Sequence, residues 1–347
     1  MKTRRLSAQG GTLDLTALGF GGAPLGNLYN AIPEADAQAT LRAAWDAGIR
    51  VFDTAPQYGL GLSEERYGRA IPAWPRDEFV LSTKVGRVLR DRKPGEKSPA
   101  EQFIDVPNRT FDYNYSYDGI MRSWESSQAR LGVERADILL VHDIGDLFTH
   151  NGDRELADRY VRELFDRGGY RAITELQSGG VVKAIGAGVN EWQVCERLLG
   201  LGHFDCFLLA GRYTLLEQES LETFLPLCEQ RGVGIILGGP FNSGILATGP
   251  VAGAYYNYAP APRDVLDRVG RIEAVCRAHG VRLIEAALHF PLGHPAVKTI
   301  IPGANSPEQV RANVALLDAT IPPALWSDLK REGLLRPDAP VPTEPFV

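Results

Sequence analysis

The 347-residue chain has no stretch approaching the roughly 20 apolar residues that a membrane-crossing helix requires. Its basic opening, MKTRRLSAQGG, is not followed by the apolar segment of a secretory signal. A cytoplasmic, reducing setting without a membrane partner is expected. Runs of Lys or Arg are also missing, and 37 basic against 43 acidic residues leave a net charge of -6. That balance argues against a surface that tracks nucleic-acid phosphates and suits a small uncharged or polar substrate. The four cysteines, Cys195, Cys206, Cys228 and Cys276, form neither a CxxC pair nor a metal-like spacing, so buried thiols are expected. His150, His203, His279, His289 and His294 also lack metal-ligand spacing, and no metal is expected.

Several reaction classes lose their motifs in the same way. No GxSxG, HExxH or P-loop is present. Pro24 stands where Gly19-Phe-Gly21 would need a third glycine, and Glu191 does so after Gly186-Ala-Gly188, so no Rossmann fingerprint is present. No Pro/Gly/Ser-rich linker or fixed-period repeat divides the chain, and residues 1–347 read as one domain, monomeric or homo-oligomeric.

What is there is alternation. Short β-rich runs fall at Ala17–Phe20, Arg50–Asp53, Phe79–Lys84, Asp137–His142, Val181–Gly188, Phe204–Ala210, Gly234–Leu237 and Thr299–Ile301. Helical periodicity occupies Glu34–Ala47, Ser63–Ile71, Tyr117–Leu131, Glu155–Ser178, Glu191–Leu201, Leu216–Gln230, Pro262–His279 and Glu308–Leu317. Eight strand–helix units predict an α/β fold, a single (β/α)8 TIM barrel. Thr3–Thr16, with Gln9-Gly10-Gly11 at its centre, reads as an N-terminal β-hairpin plugging the barrel's bottom. Val85–Ser116, Gly238–Ala261 and Leu317–Val347 read as long loops. Their aromatics, Phe103, Phe111, Tyr113, Tyr115, Tyr255, Tyr256 and Tyr258, either wall a substrate pocket or glue the loops down.

In such a barrel, chemistry sits at the C-terminal ends of strands. Asp53, Lys84 and His142 end three successive candidate strands, and Tyr58 follows Asp53 by five residues. Each alone has a structural reading, as a solvated end or an ion pair. Together they place an acid, an ammonium and an imidazole at one mouth, beside a phenol. A phenol titrates near pH 10, so proton exchange at neutral pH needs a neighbouring ammonium. Lys84 is expected to lower the pKa of Tyr58, Asp53 to hold Lys84 charged, and His142 to donate a hydrogen bond at the reacting oxygen. Backbone N–H groups near strands seven and eight would attract phosphate. The candidate segments contain Pro240, Asn242, Ser243 and Gly244, then Ile301, Gly303 and Asn305, with Ser306 capping a helix.

Asp53, Tyr58, Lys84 and His142 in these contexts resemble the catalytic tetrad of the aldo-keto reductases. The resemblance runs from Leu18-Gly-Phe-Gly21-Gly to Ile301-Pro-Gly-Ala-Asn305 and Asn313. It implies a tyrosine that transfers a proton while hydride moves between the nicotinamide C4 and the substrate carbon. It also implies cofactor contacts at Gly21, Asn190, Gln309 and Asn313. The stretch from Phe111 to Asp143 is similar to the branch oxidising aldoses such as L-fucose, D-arabinose or L-galactose at C1 to lactones, near pyridoxal 4-dehydrogenase. The lysine and arginine that family members use for NADP are matched by the uncharged Gly303 and Gln309, which favours NAD, with NADP the alternative. Val189, Ala210 and Gly238 depart from the family's serine, glutamine and ring-stacking tyrosine; Tyr213 or Phe241 is the candidate replacement for the last. A general aldehyde or ketone reductase, a glycoside hydrolase using Asp53 and Asp143, and a non-catalytic nicotinamide-binding protein are the alternatives.

Overall fold

A computed structural model describes residues 1–344 of the chain. Eight parallel strands form one sheet: β1 (Phe20–Gly21), β2 (Val51–Asp53), β3 (Val80–Val85), β4 (Ile138–His142), β5 (Ala184–Val189), β6 (Cys206–Ala210), β7 (Gly234–Gly238) and β8 (Val297–Ile301). They pair in chain order, and parallel bridges Leu18↔Ile300 and Gly21↔Gly303 bring β8 back to the first strand. The sheet thus curls into the expected barrel.

Strand periodicity sorts the side chains. Val51, Val80, Ile138, Leu140, Ala184, Cys206, Leu208, Ile236 and Ile301 pack inside the barrel, while Phe52, Leu81, Leu139, Val141 and Leu209 pack outward under the helices. Because side chains alternate, Asp53, Lys84 and His142 continue the inward series of Val51, Val80 and Leu140 and emerge at the mouth. The antiparallel hairpin Thr3–Ala8/Gly11–Thr16 feeds Leu6, Leu13 and Leu15 into the inner cluster at the other end. Each buried leucine there contributes about 2 kcal/mol, so the plug is part of the core. All four cysteines are buried and free, as expected.

The helices differ from the sequence expectation in ways that local chemistry explains. Glu155–Ser178 is two helices, Arg154–Asp166 and Gly169–Ser178, because Gly168 sits at φ 80 and ends the first. Leu216–Gln230 becomes a short turn and a helix from Phe224 to Arg231. Pro226 is then in the first turn, where it loses no hydrogen bond; a helix begun at Leu216 would have buried it in the interior. Leu283–His289 is an additional helix. The segments read as loops also carry structure: Arg87–Asp91 pairs with Arg109–Tyr113, Tyr255–Tyr256 pairs with Ala259–Pro260, and Pro323–Arg331 is helical. The last three residues of the Leu317–Val347 segment lie outside the described residues. Among the described residues, no helix is long and apolar enough to cross a membrane.

Candidate active site

The turn after β2 brings Tyr58 back over the barrel mouth. Its tightness depends on Gly26 and Gly59: a β-carbon on Gly26 would lie 2.5 Å from the Gly59 nitrogen, and Gly59 itself adopts φ 66. Lys84 Nζ then donates to Asp53 Oδ2 at 2.6 Å, to the Thr54 carbonyl at 2.9 Å and to Tyr58 Oη at 3.0 Å. An ammonium has three donors and all three are used, so the lysine has one orientation. Gly188 on β5 leaves room for it; a β-carbon there would sit 3.2 Å from Lys84 Cε. Ser82 Oγ donates to Asp53 Oδ1 at 2.8 Å, completing the carboxylate's partners on this side. His142 stands edge-on to Tyr58, with ring centroids 6.0 Å apart. All four expected tetrad residues meet at one point.

The electrostatics refine the expectation. Burial pulls the Lys84 ammonium toward deprotonation, but Asp53 and Tyr58 outweigh it and hold its pKa above the ordinary value. Burial also lifts Asp53, against the pull of Lys84 and Ser82. For Tyr58 burial is again the largest influence and raises the pKa above 10; Lys84 lowers it, and Asp53 raises it. The expectation of a lowered Tyr58 pKa is therefore corrected: the lysine acts in the expected direction, and desolvation of the phenolate exceeds it. Tyr58 is a neutral phenol at pH 7. Burial, then Arg87 and Lys84, push His142 well below 6.5, so its imidazole is neutral too.

A cavity of about 620 Å³ opens above Tyr58 and Asp53 and runs across the ends of β6, β7 and β8. Its floor is short-chained: Gly21, Ala210, Gly211, Gly238, Gly239 and Gly303. Two of these glycines have no room for a side chain, since a β-carbon on Gly21 would meet the Ile301 carbonyl at 2.7 Å and one on Gly303 would meet Pro24 at 2.6 Å. This smooth cradle beside backbone N–H groups fits a flat, anionic dinucleotide. Among the expected cofactor residues, Gly21, Asn242, Ser243, Ile301 and Gly303 line it; Asn190, Pro240, Gly244, Asn305, Gln309 and Asn313 do not.

Asn242 spends its side chain on the fold, accepting from Thr214 Oγ1 at 2.6 Å and donating to the Gly211 carbonyl at 3.0 Å. Asn190 Oδ1 accepts from Tyr258 Oη at 3.2 Å, and its backbone N–H donates to Asp146 at 2.5 Å. Ser306 caps the helix Pro307–Ala315, and Gln309 accepts from the Asn305 N–H at 3.0 Å. Among the loop aromatics, Tyr255 and Tyr258 wall the cavity together with Tyr29, while Phe103 packs on Tyr58. Tyr115 is glue, its hydroxyl donating to the His142 carbonyl at 2.8 Å. Tyr213 is buried against Phe290 and His294, and neither it nor Phe241 lines the cavity, so neither stacks there.

Sequence reasoning missed Arg212 and Asn257, joined at 2.8 Å on the cavity wall, and the buried pair Arg87–Asp143 at 2.5 Å. Asp53 and Asp143 are thus each committed to a cation, which removes the free carboxylate pair that a glycoside hydrolase requires. Among the described residues, no cluster of three or more His, Cys, Asp or Glu is placed for a metal ion.

A (β/α)8 barrel with a Tyr, Lys, Asp and His at the C-terminal mouth, beside a glycine-floored cleft, defines an α/β-barrel oxidoreductase. The aldo/keto reductase family profile matches residues 17–331, and the chain belongs to that family. It is 43% identical over 335 residues to pyridoxal 4-dehydrogenase of Microbacterium luteolum, covering 93% of this chain and 95% of the relative. It is 38% identical to D-threo-aldose 1-dehydrogenase of a Pseudomonas species, over 96% and 99% of the two chains. An aldo-keto reductase from Bacillus halodurans, solved in its holo form, superimposes with a TM-score of 0.73 at 25% identity, over 99% of both chains.

Proposed function

We propose that the chain is an NAD-dependent dehydrogenase that oxidises a cyclic hemiacetal to a lactone, with Tyr58 as the proton-transfer residue. The observation that carries this reading is the Lys84 ammonium bound at once to Tyr58, 3.0 Å away, and Asp53, 2.6 Å away, at the floor of a cleft. Aldoses and pyridoxal, named in the two relatives, share one chemical feature: an aldehyde that closes on an internal hydroxyl. The carbon to be oxidised then carries both a hydrogen and an O–H.

A nicotinamide bound in the cleft would accept the hydride, held at its phosphates by the segments around Ser243 and Gly303; Asn190 would reach its amide only by giving up the Tyr258 hydroxyl that its Oδ1 accepts from. Tyr58 takes the hydroxyl proton as the carbonyl forms, and Lys84 stabilises the phenolate before the transfer. Neutral His142 donates a hydrogen bond to the substrate oxygen and holds the hydroxyl toward Tyr58. The reverse assignment serves carbonyl reduction. Because burial keeps Tyr58 protonated at pH 7, oxidation gains speed as pH rises. NAD is the preferred cofactor on this reading: Gly303 and Gln309 offer no charge to a 2′-phosphate, and the nearby Arg311 is paired with Glu308 at 2.6 Å.

The test is absorbance of reduced nicotinamide with NAD or NADP against L-fucose, D-arabinose, L-galactose and pyridoxal, with lactone identified in the product. Turnover of a simple ketone together with none of the hemiacetal-forming substrates would overturn the reading.

A further inference from the structure

We infer that Arg87 is a positioning residue for the tetrad, holding the segments of Tyr58 and His142 against the strand of Lys84 through Gln57 and Asp143. This rests on the tetrad reading above. Arg87 lies three residues beyond Lys84, where β3 passes into the hairpin strand Arg87–Asp91. Its guanidinium donates to Gln57 Oε1 at 2.5 Å, to Asp143 Oδ2 at 2.5 Å and to Tyr113 Oη at 3.2 Å. Gln57 immediately precedes Tyr58, and Asp143 immediately follows His142. One group therefore spans three of the four reacting segments.

The group is itself fixed. Its side chain is 1% exposed, and its guanidinium carbon lies 5.1 Å from the ring centres of Phe111 and Tyr113. The Arg87 carbonyl accepts from Ser123 Oγ at 3.2 Å, which ties the hairpin to the helix Tyr117–Leu131. Asp143 adopts φ 47, a left-handed conformation that costs energy for a residue with a β-carbon, and its N–H donates to the Gly188 carbonyl at 2.8 Å. A buried ion pair is a poor source of stability, since hydrophobic residues of similar volume commonly serve as well. The pair makes sense as a fixture: it holds two turns in register at the point where a 1 Å error costs about 10²-fold in rate.

Arg87 has a second, electrostatic effect. His142 is faced by Lys84 and Tyr58 across the mouth, by Arg87 from the hairpin and by Asp143 Oδ2 at 3.8 Å. The two cations favour its neutral form, so removing Arg87 eases protonation. Losing Asp143 with it also removes an anion 3.8 Å from His142 and one that raises Tyr58, so the pair is tested by the split of kcat from KM, which a loss of folded protein would not give.

The experiment compares Gln57→Ala, which cuts one arm at a partly exposed residue, with the double variant Arg87→Met/Asp143→Leu, which removes the pair without leaving an unpaired charge. Both are assayed with NAD and whichever of L-fucose or pyridoxal the wild type oxidises. Expected are a fall in kcat of about tenfold for Gln57→Ala and about 10²-fold for the double variant. The KM for NAD stays within twofold while kcat falls, and the folded fraction stays native. Wild-type kcat in both overturns the inference. So does a loss that tracks unfolding; should the double variant not fold, Gln57→Ala decides alone. Tyr58→Phe, run alongside, separates the layers: its retained activity sinks the tetrad itself, whereas an inactive Tyr58→Phe with normal Gln57→Ala sinks only the role of Arg87.

Discussion

The Lys84 ammonium and the Asp53 carboxylate meet at 2.6 Å with side chains 1% and 2% exposed, and the ammonium's remaining donors go to Thr54 and Tyr58. Two charges so buried cost several kcal/mol to desolvate, and pairing returns that cost only while both partners are present. The pair's function is therefore directional: Asp53 keeps the lysine charged, and the charged lysine is the cation that opposes the raised pKa of Tyr58.

Removing that cation should act on both stability and pH. Lys84→Met leaves Asp53 buried without its partner and is expected to cost about 3–5 kcal/mol in urea unfolding at pH 7. With the lowering influence of Lys84 on Tyr58 gone, its pKa rises further, so the alkaline rise of the oxidation rate moves to higher pH. The double variant Asp53→Asn/Lys84→Met should recover part of the stability and, because Asp53 itself raises Tyr58, part of the pH shift. An unshifted profile in Lys84→Met would show that Tyr58 is not the titrating group.

Tyr58→Phe removes the phenolic oxygen and keeps the ring that packs on Phe103 and His142. General acid–base catalysis contributes roughly 10²–10⁴-fold, and kcat should fall by that amount or more. Fluorescence titration should give an NAD affinity within about threefold of wild type. A kcat within tenfold of wild type would remove Tyr58 from the chemistry.

Much of this site was legible because a barrel puts its reactive groups where strands stop, and Asp53, Lys84 and His142 each end an apolar run. The strand period of two then fixes which side they face. Arg87 was hidden because its segment was read as a loop: Arg87-Val-Leu-Arg-Asp and Arg109-Thr-Phe-Asp-Tyr lack a regular polar–apolar alternation, and a pairing over 17 intervening residues has no local signature. The helix Leu283–His289 was missed for the opposite reason: its seven residues are too short for helical periodicity to stand out, and its start rests on a contact between Arg282 and Glu285. The raised pKa of Tyr58 was illegible for a different reason, since charges can be read from residue types but desolvation depends on how completely the cavity encloses the oxygen.

Cofactor choice can be tested at Gln309, an exposed residue in the first turn of Pro307–Ala315 whose Oε1 accepts from the Asn305 N–H. Gln309→Arg places a guanidinium where a 2′-phosphate would lie, while Gly303→Lys would drive a β-carbon into Pro24 at 2.6 Å. A charge-assisted phosphate contact at an exposed position is worth about 1.4 kcal/mol, roughly tenfold. The ratio of kcat/KM for NADP to that for NAD should rise by that factor in Gln309→Arg and rise again in Glu308→Gln/Gln309→Arg. An unchanged ratio would place the 2′ position away from this helix.

The buried histidines give the fold an acid limit whose sign is fixed. His294 Nδ1 accepts from the Ala296 N–H at 3.1 Å, so the folded chain holds that nitrogen unprotonated, and burial beside Arg4 and Lys298 lowers the pKa to about 4. His142, His150 and His289 are lowered as well, each first by burial. Unfolded, these side chains titrate near 6.5, so between about pH 4 and 6.5 the unfolded state binds more protons and stability falls as pH falls. From His294 alone the loss at pH 5 is about 2 kcal/mol relative to pH 8. Urea midpoints measured from pH 8 to 4.5 should stay level above pH 7 and then decline. His294→Asn should flatten part of the decline while lowering stability at pH 8, where the neutral imidazole contributes most. A midpoint that stays constant down to pH 5 would mean these imidazoles are already protonated in the folded chain, which the Ala296 hydrogen bond does not allow.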